Sequence, residues 1–335
     1  MKLKLSVLDQ SSISVGMSPE EALANTVRLA KHTERLGYSR FWVSEHHDSF
    51  TLAGTSPEVL IAHLAAKTER IRVGSGGVML PHYSAFKVAE NFRVLEGLTP
   101  NRIDLGLGRA PGGMPRATIA LNGGRDRGVD RYPQQIDELL EYLHDSLKED
   151  HPLYGLKAAP VVQSAPEVWI LGSSPSSAML AAEKGLPYTF ALFINGEGGE
   201  QYTRFYRNQF KPSLYLKKPL NMVTVFAICA ETDQEAERLA ASMDLSMIMM
   251  EQGMESKGIP SPEEAASYSY SPYELERVQE NRKRMVIGSP KTVLAKLVEI
   301  AEKYETDEIM LASILYDFNE KLTSYELIAK AAGIH

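Results

Sequence analysis

The chain has 335 residues, 44% of them hydrophobic and 24% charged, a globular composition that excludes a disordered or fibrous protein. A net charge of −7, a pI near 5.7 and the lack of a Lys/Arg run argue against a nucleic-acid partner, which needs a clustered basic face. The single cysteine, Cys229, lies in the apolar run 222–230. It excludes an intrachain disulfide and a cysteine metal site, and is expected to be a buried, inert thiol.

Leu3, Leu5 and Val7 start a strand pattern without the charged and then apolar segments of a signal peptide. No apolar run approaches the ~18 residues that span a bilayer, so a cytoplasmic protein with no membrane partner is expected. Ser18-Pro19-Glu20-Glu21 opens the first helix with an N-cap, a proline and early acids, and Gly37 closes it. Strand-like runs then follow at 40–44, 71–79, 102–107, 168–171, 188–192, 222–229 and 308–312, after the first at 3–8. Helical stretches separate them, among them 55–68 and the stripe Ile136, Leu139, Leu140, Leu143, Leu147 after Pro133. This alternation predicts parallel βα units. Eight strands fit a (β/α)8 TIM barrel, an α/β fold in one domain over 1–335, although the count alone also fits an open doubly wound sheet.

Two segments exceed plain βα connections: 108–132 after the fourth strand, and about 249–285 between the seventh and eighth. Long connections of this kind are often functional. The first is expected to lie over the mouth of the barrel. In the second, most of Tyr268, Tyr270 and Tyr273 are expected to pack an added helix.

Chemistry is expected at the carboxyl ends of the strands, where barrels of this type place it. Arg40-Phe-Trp-Val-Ser-Glu-His-His47 is an aromatic strand that stops on Glu45, His46 and His47. Taken alone it fits a histidine-capped polar turn as well as a catalytic strand end. The strand at 168–171 runs into Gly172-Ser173-Ser174-Pro175-Ser176-Ser177 and an Ala-rich helix ending at Lys184-Gly185. Ser174 at the N-cap, Pro175 at the first helical position and the first-turn amides suit an anion. The same residues also make an ordinary capped helix start. Arg109, at the end of the fourth strand, adds a guanidinium suited to bidentate phosphate binding. Gly74-Ser75-Gly76-Gly77, in the third strand, leaves room for a flat ring against the backbone.

In order, Ser44-Glu45-His46-His47, Gly76-Gly77-Val78-Met79-Leu80-Pro81, Gly108-Arg109 and Gly172 to Ser177 resemble the bacterial luciferase-like, flavin-dependent monooxygenase family. The resemblance covers nearly the whole chain. It implies a TIM barrel binding reduced FMN, with a cis peptide between Gly76 and Gly77 under the ring and the phosphate at Arg109, Ser173, Ser174 and Ser177. It implies that His46 is the catalytic proton-transfer residue, supported by Glu45 and His47. It further implies a small organic substrate, a separate flavin reductase supplying reduced FMN, and a homodimer. Luciferase itself has a cysteine where this chain has Gly108, which argues against light emission. A close alternative keeps the fold and uses deazaflavin F420 for hydride transfer. Less favoured are a non-catalytic flavin-binding relative and a metal-dependent hydrolase built on His46 and His47 with His63 or His82. Adjacent histidines in an extended segment point apart, which disfavours the hydrolase.

Overall fold

Residues alternate along each strand between a face toward the helices and a face toward the interior, and this period of two builds the whole architecture. The computed structural model describes residues 3–124, 128–254 and 256–334. Its order is β1 (Lys4–Asp9), α1 (Pro19–Arg35), β2 (Arg40–Val43), α2 (Pro57–Lys67), β3 (Arg72–Met79), α3 (Ala85–Leu98) and β4 (Ile103–Gly108). It continues through α4 (Pro115–Asn122), α5 (Tyr132–His144), β5 (Glu167–Gly172), α6 (Pro175–Lys184), β6 (Tyr188–Ala191), α7 (Gly199–Gln209) and β7 (Asn221–Cys229). The last part is α8 (Asp233–Glu251), α9 (Pro262–Ser267), α10 (Pro272–Arg282), β8 (Met285–Gly288), α11 (Pro290–Lys303), β9 (Glu308–Ala312) and α12 (Phe318–Ala332).

All pairings between these strands are parallel, and eight of them close a ring: β1 to β6 in sequence, then β7, then β9, which returns to β1. The protein is therefore a (β/α)8 barrel rather than an open sheet. The eight expected strands are the eight of the ring. β8 is an addition that the sequence pattern did not suggest: it pairs with the upper half of β7, Phe226 to Cys229, whereas residues 221–226 of β7 serve β6 and β9. The segment 249–285 is mostly helical for the same reason that it resisted a strand reading. Ser261 and Ser271 each start a helix with a full capping box, closed by Glu264 and Glu274. Tyr268 packs edge-on against Tyr270 and donates to Glu274, while Tyr273 is exposed. Among the described residues, no helix is long and apolar enough to cross a membrane.

Leu5, Val7, Phe41, Val43, Val73, Ile103, Leu105, Val168, Ile170, Val223, Val225, Ile309 and Leu311 face the helices and form the outer core. The interior is built in layers. At the amino ends of the strands sits a charged plug: Arg40 meets Asp104 (2.8 Å), Glu167 (2.7 Å) and Glu308 (3.0 Å), and Arg72 adds to Asp104. Burial works against the Arg40 charge, and the three carboxylates outweigh it, so it stays a cation. Above it Trp42 packs edge-on against Trp169, with ring centres 5.5 Å apart, and donates from Nε1 to Asp104. Above that layer the inner positions of β3 and β4 become small, at Gly76, Gly106 and Gly108, and the interior opens.

Candidate active site

The opening is a cavity of about 290 Å3 at the carboxyl ends of the strands. Leu8, Trp42 and Met310 line it from the barrel interior, and Gly76, Gly77 and Gly108 form one wall. The wall is flat because the strands approach too closely for side chains. A Cβ on Gly77 would lie 2.6 Å from the Gly106 carbonyl oxygen, and one on Gly76 would lie 2.6 Å from Leu8 Cδ1. The Gly76–Gly77 peptide is cis, and the β3–β4 register shifts there. Gly108 has its own neighbour, since a Cβ there would lie 2.9 Å from Met79 Sδ.

Arg109, Ser173, Ser174 and Ser177 line the same cavity, so the structure brings six of the seven expected site residues together. Ser174 is the N-cap of α6, but its hydroxyl makes no cap bond; Ser177 Oγ donates to the Ser174 carbonyl instead, at 2.7 Å. The first-turn amides of α6 have no helical carbonyl in reach and carry the positive end of the helix dipole. Gly172 serves here by making room rather than by adopting an unusual backbone angle, since a Cβ would collide with the Ser177 side chain.

Two residues of this cavity were not singled out from the sequence. Tyr132, the first residue of α5, is 3% exposed, and its hydroxyl has no hydrogen-bond partner. Burial pushes that hydroxyl up, and the nearby Arg109 charge opposes the shift. Thr189, on β6, is equally buried, and its Oγ1 is also unpartnered. A proline-flanked tyrosine opening a helical stripe reads locally as packing; only the fold places it beside Arg109.

His46, the seventh expected residue, does not line this cavity. It sits just past β2 with Nδ1 3.0 Å from Ser44 Oγ. Burial and the adjacent His47 bring its pKa down to about 4. The side chains of Glu45 and His47 bond to each other rather than to the His46 ring. Glu45 is fully buried and accepts from His47 Nε2 (2.8 Å), Tyr83 Oη (2.8 Å) and the Met79 amide (2.9 Å). Its carboxylate therefore ties the end of β2 to the end of β3, directly behind the glycine wall. His47 also pairs along its backbone with Gly112 and Gly113, and His82 Nε2 meets the Pro111 carbonyl at 2.8 Å. These bonds hold the loop after β4 over the mouth as expected; residues 125–127 of the 108–132 segment lie outside the described residues. Among the described residues no group of three or more His, Cys, Asp or Glu is arranged to hold a metal ion. Cys229 is buried, and burial pushes its thiol up to about 12, which makes it unreactive.

The sequence model described as "Luciferase-like monooxygenase" matches residues 3–306. The chain belongs to the luciferase-like monooxygenase family. The Bacillus subtilis (strain 168) protein YwcH is 57% identical over 329 residues, covering 98% of this chain and 99% of its own. The N-acetyl-S-alkylcysteine monooxygenase of the same organism is 35% identical over 330 residues, covering 98% of both. Among solved structures of the family, apo-MsnO8 superposes with a TM-score of 0.91 at 37% identity, covering 99% of this chain and 98% of its own. Two remoter structures share the fold. The oxygenating constituent of 3,6-diketocamphane monooxygenase from Pseudomonas putida, in complex with FMN, has a TM-score of 0.73 at 19% identity, covering 99% and 98%. An F420-dependent secondary alcohol dehydrogenase with an F420-acetone adduct has 0.66 at 14%, covering 99% of each chain.

Proposed function

We propose that the protein is a monooxygenase that takes reduced FMN from a separate reductase and inserts one atom of oxygen into a small organic substrate. The observation that carries this reading is the pairing of a side-chain-free wall with an anion cradle in one cavity. The residues fit the cofactor: two buried hydroxyls, Tyr132 and Thr189, face this cavity without a protein partner, and polar groups in that state call for a bound ligand or water.

When bound, reduced FMN supplies the electrons and the centre at which oxygen is activated. The protein's own residues do the rest. Arg109, Ser173, Ser174 and Ser177, joined by Tyr132 and the first-turn amides of α6, bind the phosphate through charge-assisted hydrogen bonds. Gly76 and Gly77 let a planar ring lie against backbone. Leu8, Trp42 and Met310 exclude water from its inner side. His46 is neutral through the physiological range, with Nε2 left to hold or accept a proton from the reacting substrate while Ser44 occupies Nδ1.

The substrate class to test first is the thioether, on the strength of the relative that acts on N-acetyl-S-alkylcysteines. Deazaflavin F420 is the rival cofactor, since its ring and phosphate suit the same wall and cradle. Anaerobic titration with reduced FMN and with F420 separates the two, and saturation by F420 alone would overturn the reading. A second assay supplies reductase, FMN, oxygen and N-acetyl-S-methylcysteine, and reads by mass spectrometry a product that has gained one oxygen atom.

A further inference from the structure

A second cavity, of about 250 Å3, opens beside the first, between the loop that follows β6 and the turn that joins α10 to β8. Ile194 lines both. The second cavity is edged by three cations, Arg277, Lys283 and Arg284, and by two carboxylates, Glu197 and Glu280. Two of the cations are already paired. Arg277 forks onto Glu251 at 3.0 and 3.1 Å, and Lys283 lies 2.6 Å from Glu280.

Arg284 differs. Its hydrogen bonds go to neutral acceptors: Nη1 donates to the Ile194 carbonyl at 2.7 Å, and Nη2 donates to Asn281 Oδ1. Asn281 is buried and fixed in turn, because its Nδ2 donates to Glu251 at 2.9 Å and so turns Oδ1 toward Arg284. The guanidinium is therefore immobilised and half-buried with no carboxylate in ion-pair contact among the described residues. Burial lowers its pKa; the Glu251 and Glu280 carboxylates act on its charge from a distance, and neither reaches it as an ion pair. A guanidinium carries five N–H donors in a rigid fork that matches a carboxylate, and the two bonds to Ile194 and Asn281 leave donors over.

We propose that Arg284 receives a carboxylate carried by the molecule whose reacting part occupies the glycine-walled cavity, with Ile194 as the partition over which that molecule passes. This rests on the flavin reading above. A carboxylate there belongs either to the organic substrate or to the glutamyl tail of F420, and the chemistry at Arg284 is the same.

The test is equilibrium binding to the full-length protein and to its R284Q and R284K variants, with thermal melts to verify folding. The probes are N-acetyl-S-methylcysteine, N-acetylmethionine and N-acetylglycine, each against its primary amide, and F420 with and without its glutamyl tail. At least one acid is expected to bind about tenfold more tightly than its amide, a preference lost in R284Q and partly kept in R284K. If only the tailed F420 shows the preference, the carboxylate belongs to the cofactor. If no acid and no tailed cofactor outbinds its neutral counterpart, or if the preference survives in R284Q, Arg284 is not a carboxylate site. Reduced FMN is titrated on the same samples, so failure of wild-type protein to bind it would sink the flavin reading separately.

Discussion

Ser44 Oγ and His46 Nδ1 lie 3.0 Å apart, across a single intervening residue that faces the other way. This contact, rather than Glu45 or His47, fixes the His46 ring, and it leaves Nε2 as the atom with which His46 would exchange a proton. Replacing His46 with Gln is expected to lower turnover about a hundredfold or more while FMN affinity changes little. Ser44→Ala should cost less, roughly tenfold, and should change the shape of the pH–turnover profile, because the ring loses its orientation but not its chemistry. Single-turnover rates across pH, with anaerobic FMN titration alongside, measure both. Unchanged turnover in the His46 variant would remove that residue from the mechanism.

The lowered His46 pKa also has a sign for stability. The folded protein resists protonating this ring until about pH 4, whereas an unfolded chain takes up the proton near 6.5. Between those values the unfolded state binds more protons, so stability is lost as pH falls through the window. Denaturant melts at its two ends should show a smaller loss in the His46→Gln variant than in the wild type. Equal losses would mean that the ring is not held neutral.

Arg109 and Tyr132 should separate by magnitude. Removing the guanidinium takes away a charged hydrogen bond of about 1.5–3 kcal/mol, which is roughly a tenfold to hundredfold loss of FMN affinity. Tyr132→Phe removes one neutral donor, worth about 1 kcal/mol, and should weaken FMN several-fold while raising or leaving unchanged the stability of the free protein, since its hydroxyl has no partner there. Fluorescence titration and thermal melts give the two quantities. An unaltered FMN affinity in both variants would rule out the phosphate assignment.

Arg40→Met tests the charged plug. It leaves Asp104 and Glu308 buried together without their shared cation, a change expected to cost about 3–5 kcal/mol in denaturant unfolding. FMN binding by the molecules that remain folded should persist, because the plug and the cavity are separated by the Trp42–Trp169 layer. Gly77→Ala is expected to do the reverse of that separation and harm both properties, since its Cβ meets the Gly106 carbonyl at 2.6 Å and the glycine wall must move.

The eight ring strands were legible because each is an apolar run set between helical stretches. β8 was not, because Met285-Val-Ile-Gly288 follows directly on the polar helix α10, at the end of a segment whose Ser, Pro and Gly punctuation reads as a long connection. The glycine and serine positions were legible in the same way, through residue types that few local structures require. The link that Glu45 makes was not legible, because its partners Met79 and Tyr83 are 34 and 38 residues away, and no local pattern encodes a bond between the ends of two strands. Arg284 sits in Arg282-Lys283-Arg284, which reads as a solvated helix end. Only the three-dimensional arrangement shows that Arg282 goes to Asp244, Lys283 to Glu280, and Arg284 to no carboxylate.

The divided pairing of β7 has a consequence for chain length. Residues 221–226 complete the ring, and the last three, Ala227 to Cys229, pair with no strand but β8. Everything from α8 to β8 can thus lengthen, shorten or change composition without altering a single hydrogen bond of the closed barrel. A change of chain length in that segment would therefore leave the register of the ring beneath it in place.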